Sequence, residues 1–146
     1  MAALKKFQIQ AKMGEKFTIE GILGNHVVYV DQAPEAGGDD KGPTPLELLF
    51  LSLASCIMTV GRIIARQKKI TLRAMEVSVA GDVDMEVLLG KSKASRPGFG
   101  GIRAVVKIDA DLSPKEKKAF LEELETRCPV SDNLKNATPV SVELAG

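Results

Sequence analysis

Several residue types are scarce in this 146-residue chain, which has no tryptophan, one tyrosine, one histidine and two cysteines. One histidine and two distant cysteines supply neither the ligand count nor the CxxC spacing of a zinc site, so we expect no metal. Neither sign of charge is in excess, because 20 lysines and arginines balance 19 acidic residues. This balance predicts no binding to nucleic acid or to an anionic membrane.

Long apolar segments are also missing. No run approaches the ~18 uncharged apolar residues of a membrane span, so we expect none. Residues 1–12 contain lysines without an apolar stretch behind them, and we expect no secretory signal there. A hydrophobic content of 45% with 27% charged residues is typical of a soluble globular chain. We therefore predict a single cytoplasmic domain over residues 1–146.

Three strands are predicted near the amino terminus. Residues 7–13 alternate apolar and polar side chains, which is the period-two pattern of a half-buried strand. Residues 17–23 form a second run, and Gly24-Asn25 suits a two-residue hairpin turn into a third strand over residues 26–30. Residues 33–42 are rich in glycine and aspartate and are predicted to be a loop.

The strongest local signal is the capping box Thr44-Pro45-Leu46-Glu47, which predicts a helix from Pro45 to about Lys69. The middle of this helix is apolar nearly all round, as is typical of a buried central helix. The three strands before it would make only a thin sheet. We therefore expect a partner subunit to complete the core, although burial within one chain stays an alternative.

The rest of the chain predicts further strands and helices. A second capping box, Ser113-Pro114-Lys115-Glu116, opens a helix that ends near Arg127. The other predicted elements are a strand over residues 73–82 with a continuation over 85–89, a mobile loop over 91–101, a strand over 104–110, a turn or short helix over 130–134 and a last strand over 140–144. The order βββ-α-ββ-α-β indicates the α+β class rather than a doubly wound fold.

The two cysteines differ in their local setting. Cys56 lies mid-helix on an apolar stripe, and its plain interpretation is a small buried hydrophobic residue. Cys128 precedes a proline at the start of a short helix, just after Arg127. A helix amino terminus and a neighbouring cation both favour a thiolate. In a cytosolic protein such a pair is more often reduced and chemically active than a permanent disulfide.

The residues around both cysteines resemble those of the OsmC/Ohr proteins, a family of hydroperoxide-reducing thiol enzymes. The resemblance covers most of the chain and rests on GPTPLELL at residues 42–49, LASC at 53–56 and RCPVS at 127–131. It is nearer to the OsmC-like branch than to the Ohr branch. It implies an intertwined homodimer with two active sites at the subunit interface, each beside the long central helix.

The chemistry that this resemblance implies is that of a two-cysteine peroxidase. Cys56 would be the peroxidatic thiolate, which attacks an organic hydroperoxide and becomes a sulfenic acid, and Cys128 would be the resolving thiol. An external thiol or dithiol would restore both, with no metal, flavin or haem. Candidates to line the pocket for the organic part of the substrate are Leu46, Glu47 and Phe50.

Two positions depart from the family pattern. The family's peroxidases hold the thiolate with an arginine from the amino-terminal part of the chain, but no arginine precedes Arg62 here. They also have a glutamate ten residues before the peroxidatic cysteine, where this chain has Leu46. Glu47 is one residue away from that position, and we interpret it as the cap of the helix.

These departures bear on how reactive Cys56 is. Desolvation inside an apolar helix raises the pKa of a thiol, and no cation is placed beside it by the sequence. We expect a weaker or differently tuned peroxidase, unless Arg96, Arg103 or Lys41 serves as the cation. The alternatives are a redox-sensing or small-molecule-binding protein with the same fold, and a purely structural disulfide.

Overall fold

The computed structural model describes residues 2–146. The chain divides into two compact units, one ending at Leu49 and one beginning at Phe50, and the boundary falls inside the long central helix. The single domain expected over residues 1–146 stays a prediction.

The first unit contains an antiparallel three-stranded meander. The strands are β1 (Gln10–Met13), β2 (Ile19–Leu23) and β3 (His26–Val30), in the order β1-β2-β3. The predicted hairpin turn is present, and Gly24 adopts the positive φ of 60° that such a turn needs.

The first strand is shorter than predicted, because residues 7–9 are not part of it. Gln10 pairs with Ile22, so Phe7 to Ile9 would lie opposite the end of β2 and the hairpin turn, where β2 offers no further backbone partners. The second strand also starts two residues later than predicted.

A buried carboxylate organises the loop that follows β3. Asp31 accepts hydrogen bonds from Thr18 Oγ1 at 2.7 Å and from the backbone amides of Gln32 at 2.8 Å and Lys41 at 3.2 Å. Burial alone would raise the pKa of Asp31, but these hydrogen bonds favour the carboxylate and lower it overall. Gly38 permits the close approach, since a Cβ there would lie 1.9 Å from the carbonyl oxygen of Gln32.

The central helix α1 (Pro45–Lys68) agrees with the predicted range. Its buried side packs with two antiparallel strands, β4 (Leu72–Gly81) and β5 (Ile102–Ala110), and with helix α3 (Pro114–Arg127). The core of the second unit consists of Leu53, Ile57, Val60, Ile64, Ala65, Leu72, Ala110, Phe120, Leu124 and Cys128.

The prediction that the strand continues over residues 85–89 is wrong, because a short helix, α2 (Met85–Leu88), lies there. Asp84 caps it by accepting a hydrogen bond from the amide of Glu86 at 3.0 Å. An aspartate cap turns the backbone into a helix, so the apolar residues that follow do not extend the strand.

The carboxyl-terminal helices follow the prediction closely. Ser113 and Glu116 form the predicted capping box at the start of α3. Helix α4 (Pro129–Lys135) is slightly longer than the element predicted over residues 130–134.

The last predicted strand, over residues 140–144, is absent from the described part of the chain, and Val140, Val142 and Leu144 are exposed. Alternation predicts which side chains share a face, but a strand also needs a neighbour with which to exchange backbone hydrogen bonds.

Helix α1 is strongly apolar. One stretch of 18 residues has a mean hydropathy of 2.0, long and apolar enough to cross a membrane by length and composition, although its uncharged run, residues 48–61 between Glu47 and Arg62, is shorter than 18 residues. Only 39% of that stretch is buried, and Leu51 and Ile63 are exposed, so one chain does not cover the helix all round. The alternative of complete burial within one chain is therefore not met, and cover by a partner subunit stays a prediction. The buried residues of α1 join the core of the second unit, as in a core helix of a soluble fold.

Candidate functional site

Two cysteines that are 72 positions apart in the chain meet in the second unit. The Sγ atoms of Cys128 and Cys56 are 3.1 Å apart, and the Cys128 thiol donates a weak hydrogen bond to the sulfur of Cys56. Both cysteines are free thiols. A disulfide is about 2.05 Å long, so a movement of about 1 Å would bring the two sulfurs to bonding distance.

Local backbone chemistry places each sulfur. Cys56 lies about three turns from either end of α1, where its position is fixed by regular helix geometry. Cys128 ends α3 and is the N-cap of α4, with an extended backbone at φ −81° and ψ 108°. Pro129 disfavours the helical conformation at Cys128 and starts the next helix. Because the Cys128 side chain makes no capping hydrogen bond, it is available to Cys56.

The two thiols differ in burial, and the order is the opposite of the sequence interpretation, in which Cys56 was the buried residue. Cys128 is only 1% exposed, whereas Cys56 is half-buried. The more accessible sulfur is therefore the one on the apolar helix. Sequence reasoning missed this because the amino end of α4 lies against the core.

The electrostatic setting of Cys56 favours the neutral thiol. Burial raises the pKa of Cys56, the backbone amide of Val130 lowers it by donating a hydrogen bond, and the adjacent Cys128 raises it again. The net effect is a raised pKa, as expected from the sequence. Val130 was missed as a contributor, although Pro129 at the start of a helix signals free amide groups close to Cys128.

The other predicted pocket residues lie on the first two turns of α1. Glu47 accepts a hydrogen bond from the amide of Thr44 at 3.0 Å, and Thr44 Oγ1 accepts one from the amide of Glu47 at 3.3 Å. The capping interpretation of Glu47 is therefore confirmed. Leu46 is partly exposed in the same turn. Phe50 stacks on Phe99 with ring centroids 4.6 Å apart. The role of these residues in a substrate pocket stays a prediction.

Arg62, which was not a candidate, and the candidate cations Arg96 and Arg103 lie in different places. Arg62 donates a hydrogen bond to the carbonyl oxygen of Leu72 at 2.7 Å. Arg96 and Arg103 line a pocket of about 520 Å³, to which Ile57 also contributes. Within residues 2–146 of one chain, the groups that shift the pKa of Cys56 include no basic side chain.

Metal-binding residues are not clustered in the described part of the chain. Between residues 2 and 146, no group of three histidine, cysteine, aspartate or glutamate side chains could hold an ion. Two thiols in contact can undergo oxidation of one sulfur, followed by formation of a disulfide with the other.

Known proteins share both the sequence pattern and the fold. The family model of OsmC-like proteins matches residues 38–143. A hydroperoxide reductase from Mycoplasma pneumoniae is 25% identical over 96% of this chain and 94% of its own. The crystal structure of an OsmC-like protein from Mycoplasma pneumoniae is similar at a TM-score of 0.79 and 25% identity, covering 91% of this chain and 89% of that one. An organic hydroperoxide resistance protein OsmC from Legionella pneumophila is similar at a TM-score of 0.66 and 21% identity, covering 92% of each chain.

Proposed function

Because this chain belongs to the OsmC-like protein family and has the α+β fold of that family, we propose that it is a thiol-dependent peroxidase that reduces organic hydroperoxides as a defence against oxidative stress. The observation that carries this proposal is the 3.1 Å distance between the sulfurs of Cys56 and Cys128. The hydroperoxide reductase from Mycoplasma pneumoniae supports the choice of substrate class.

The first step oxidises Cys56, the more accessible thiol. Its thiolate attacks the outer oxygen of the hydroperoxide, the O–O bond breaks, and the alkoxide takes a proton and leaves as an alcohol. Cys56 becomes a sulfenic acid and the peroxide is reduced by two electrons. Leu46, Glu47 and Phe50 are proposed to lie at the organic part of the substrate, with Glu47 also holding the helix cap.

The second step forms the disulfide. The Cys128 sulfur attacks the sulfur of the sulfenic acid, the S–O bond breaks, and hydroxide takes the thiol proton and leaves as water. Contact between the sulfurs before the reaction favours this step over further oxidation of Cys56, because the resolving thiol need not diffuse to its target.

The third step returns both thiols to the reduced state. The thiolate of an external dithiol attacks the disulfide at Cys56, since the buried Cys128 sulfur is out of reach, and Cys128 leaves as a thiolate that takes a proton. The second thiol of the reductant then displaces Cys56 and the reductant leaves as its own disulfide. A reducing compartment is implied, and we place the protein in the cytoplasm.

A homodimer is proposed as the functional unit. Apolar side chains are exposed in the single chain at the amino-terminal sheet, on α1 and in the tail, among them Phe7, Leu51 and Val142. A second copy that covers them would also offer the predicted strand over residues 140–144 a neighbour. Light scattering after gel filtration is expected to give twice the mass of the chain.

The test of the peroxidase follows the loss of cumene hydroperoxide with excess dithiothreitol. Cys56→Ser is expected to abolish catalysed loss, because no thiolate attacks the peroxide. Cys128→Ser is expected to keep the first step and, when hydroperoxide is added without dithiothreitol, to accumulate a sulfenic acid that dimedone labels. Ser55→Ala, next to Cys56 on the exposed side of α1, is the matched control and is expected to retain wild-type rates. Equal rates for the wild type and Cys56→Ser would refute the proposal.

The raised pKa of Cys56 favours a second candidate, a redox-sensing or small-molecule-binding protein that reduces hydroperoxides slowly. A thiol with a raised pKa is mostly protonated at neutral pH, so its attack on peroxide is slow unless a cation from a partner chain lowers that pKa. In this case oxidation of Cys56 would be stoichiometric and slow, and turnover with dithiothreitol would be close to background.

A further inference from the structure

A buried serine faces a pocket in the second unit. The pocket of about 520 Å³ falls within the size range of small-molecule sites and is built entirely from residues of that unit. On helix α4 its lining residues are Ser131, Leu134 and Lys135, whose spacing of three and four places their side chains on one face of the helix. The side chain of Ser131 therefore points toward the pocket.

The hydroxyl of Ser131 has no partner within the described chain. Ser131 is only 8% exposed, yet its Oγ forms no hydrogen bond with any residue between 2 and 146, the two cysteines included. Every side-chain oxygen in that range that is closed off from solvent does have a partner. The Oγ atom of Ser131 is therefore not closed off, and the space that it reaches is the pocket. A polar group in such a place is normally satisfied by a hydrogen bond, because leaving it without one destabilises the fold.

The surroundings of this hydroxyl are mostly apolar. Leu53 and Ile57 of α1 are buried and form one side of the pocket. Phe99 forms part of another side and stacks on Phe50 with ring centroids 4.6 Å apart, which holds that side in place. An apolar wall with a single unpaired hydroxyl suits a ligand that is apolar apart from one hydrogen-bonding oxygen.

The charged groups of the pocket do not favour an ionic ligand. Lys135 Nζ lies 3.0 Å from Glu125 Oε2, so these two charges offset each other. Arg103 alternates on β5 with residues that pack on the core, so its side chain points to the opposite face of the sheet. Arg96 lies at the exposed rim, where water screens its charge. The ligand that fits best is therefore neutral.

The pocket begins one helical turn from each cysteine. Leu53 precedes Cys56 by three residues in α1, and Ser131 follows Cys128 by three residues in α4. Neither cysteine is among the lining residues, so a molecule in the pocket leaves the two sulfurs in contact.

We propose that this pocket binds small alcohols with an apolar body. The Ser131 hydroxyl and the hydroxyl of the ligand share a hydrogen bond, and the apolar body lies on Leu53, Ile57 and Phe99. The ligand undergoes no reaction there. The proposal goes beyond the proposed function and does not rest on it, because binding requires neither thiol. The two are related in chemistry, since the reduction of an organic hydroperoxide releases an alcohol.

The test titrates the reduced protein with benzyl alcohol and, separately, with toluene, which has the same ring without the hydroxyl. Amide NMR spectra of isotope-labelled protein report where each ligand binds. We expect benzyl alcohol to bind saturably in the millimolar range and to shift the amide signals of Ser131 and Ile57. Ser131→Ala is expected to weaken the binding of benzyl alcohol about three- to tenfold and not to weaken that of toluene, because only the alcohol loses a hydrogen bond.

The control Ser55→Ala removes the same hydroxyl at an exposed position of α1 outside the pocket and is expected to bind both ligands as the wild type does. Benzoate, which has the same ring with a negative charge, is expected to bind more weakly than benzyl alcohol. The proposal is overturned if benzyl alcohol does not bind in the pocket, if benzoate binds more tightly, or if Ser131→Ala weakens the binding of both ligands equally or of neither. Binding is measured without peroxide, so its failure is distinct from a failure of the peroxidase. The dispersion of the amide signals checks that each variant is folded.

Discussion

Oxidation of the cysteine pair is expected to stabilise the folded protein strongly. A disulfide between Cys56 and Cys128 would close a loop spanning 72 positions and restrict the unfolded chain. The chain-entropy relation gives about 4 kcal/mol for a loop of this length. Because the sulfurs are already 3.1 Å apart in the folded thiol form, little distortion is needed to form the bond, and most of this amount should be realised.

For a chain of this size, about 4 kcal/mol corresponds to a rise in Tm of roughly 10–18 °C. The assay compares thermal and urea unfolding of protein oxidised with diamide against protein kept in dithiothreitol. The reduced protein is expected to unfold cooperatively, because the core of the second unit does not depend on the bond. A reduced protein that is unfolded would instead indicate a purely structural disulfide.

Cys128→Ser provides the control, since it cannot form the bond and should unfold at the same temperature with and without diamide. The reasoning is refuted if oxidised and reduced wild type unfold together while mass spectrometry shows the intramolecular disulfide. It is also refuted if diamide yields only crosslinks between chains, because sulfurs in contact within one chain should react with each other first.

Three further results are expected. Iodoacetamide alkylation of Cys56, measured in Cys128→Ser, should become about tenfold faster per pH unit from neutrality and still rise above pH ~8.5. The reason is that burial raises the pKa of the Cys56 thiol. A plateau of the rate near neutrality would contradict this. Leu124→Ala should lower the free energy of unfolding, measured in urea, by about 2–5 kcal/mol, since Leu124 is fully buried. Leu134 is partly exposed, so Leu134→Ala should lower this free energy much less. Asp31→Asn should lower the urea midpoint at neutral pH. Because the pKa of Asp31 is lowered in the folded state, the carboxylate contributes fully to stability above about pH 4, and this contribution is lost as the pH falls further. The difference in urea midpoint between Asp31→Asn and the wild type should therefore narrow below that pH. A difference that stays constant would refute the lowered pKa of Asp31.

Secondary-structure elements that depend on residues close together in the sequence could be predicted well. A capping box joins residues three positions apart, so Thr44 with Glu47 and Ser113 with Glu116 mark the starts of α1 and α3 whatever surrounds them. The hairpin at Gly24 is equally local. The short helix α2 shows the limit of this reasoning: the Asp84 cap was present in the sequence, but the apolar residues after it were interpreted as a strand.

Features that depend on a neighbour could not be predicted in the same way. Residues 7–9 and 140–144 alternate like strands, yet neither segment is a strand in the described chain, because periodicity carries no information about the partner that accepts the hydrogen bonds. The apolar surface of α1 is similar: its composition indicates that it will be covered, but not by what.

The sequence by itself determined the starts of α1 and α3, the family resemblance and the two cysteines as the candidate pair, since these depend on short motifs. Only the tertiary structure decided that the sulfurs lie 3.1 Å apart, that Cys128 rather than Cys56 is the buried member, and that Arg96 and Arg103 share a pocket. Solvent exposure and distance arise from packing between segments remote in the chain, and no local pattern of residues encodes them.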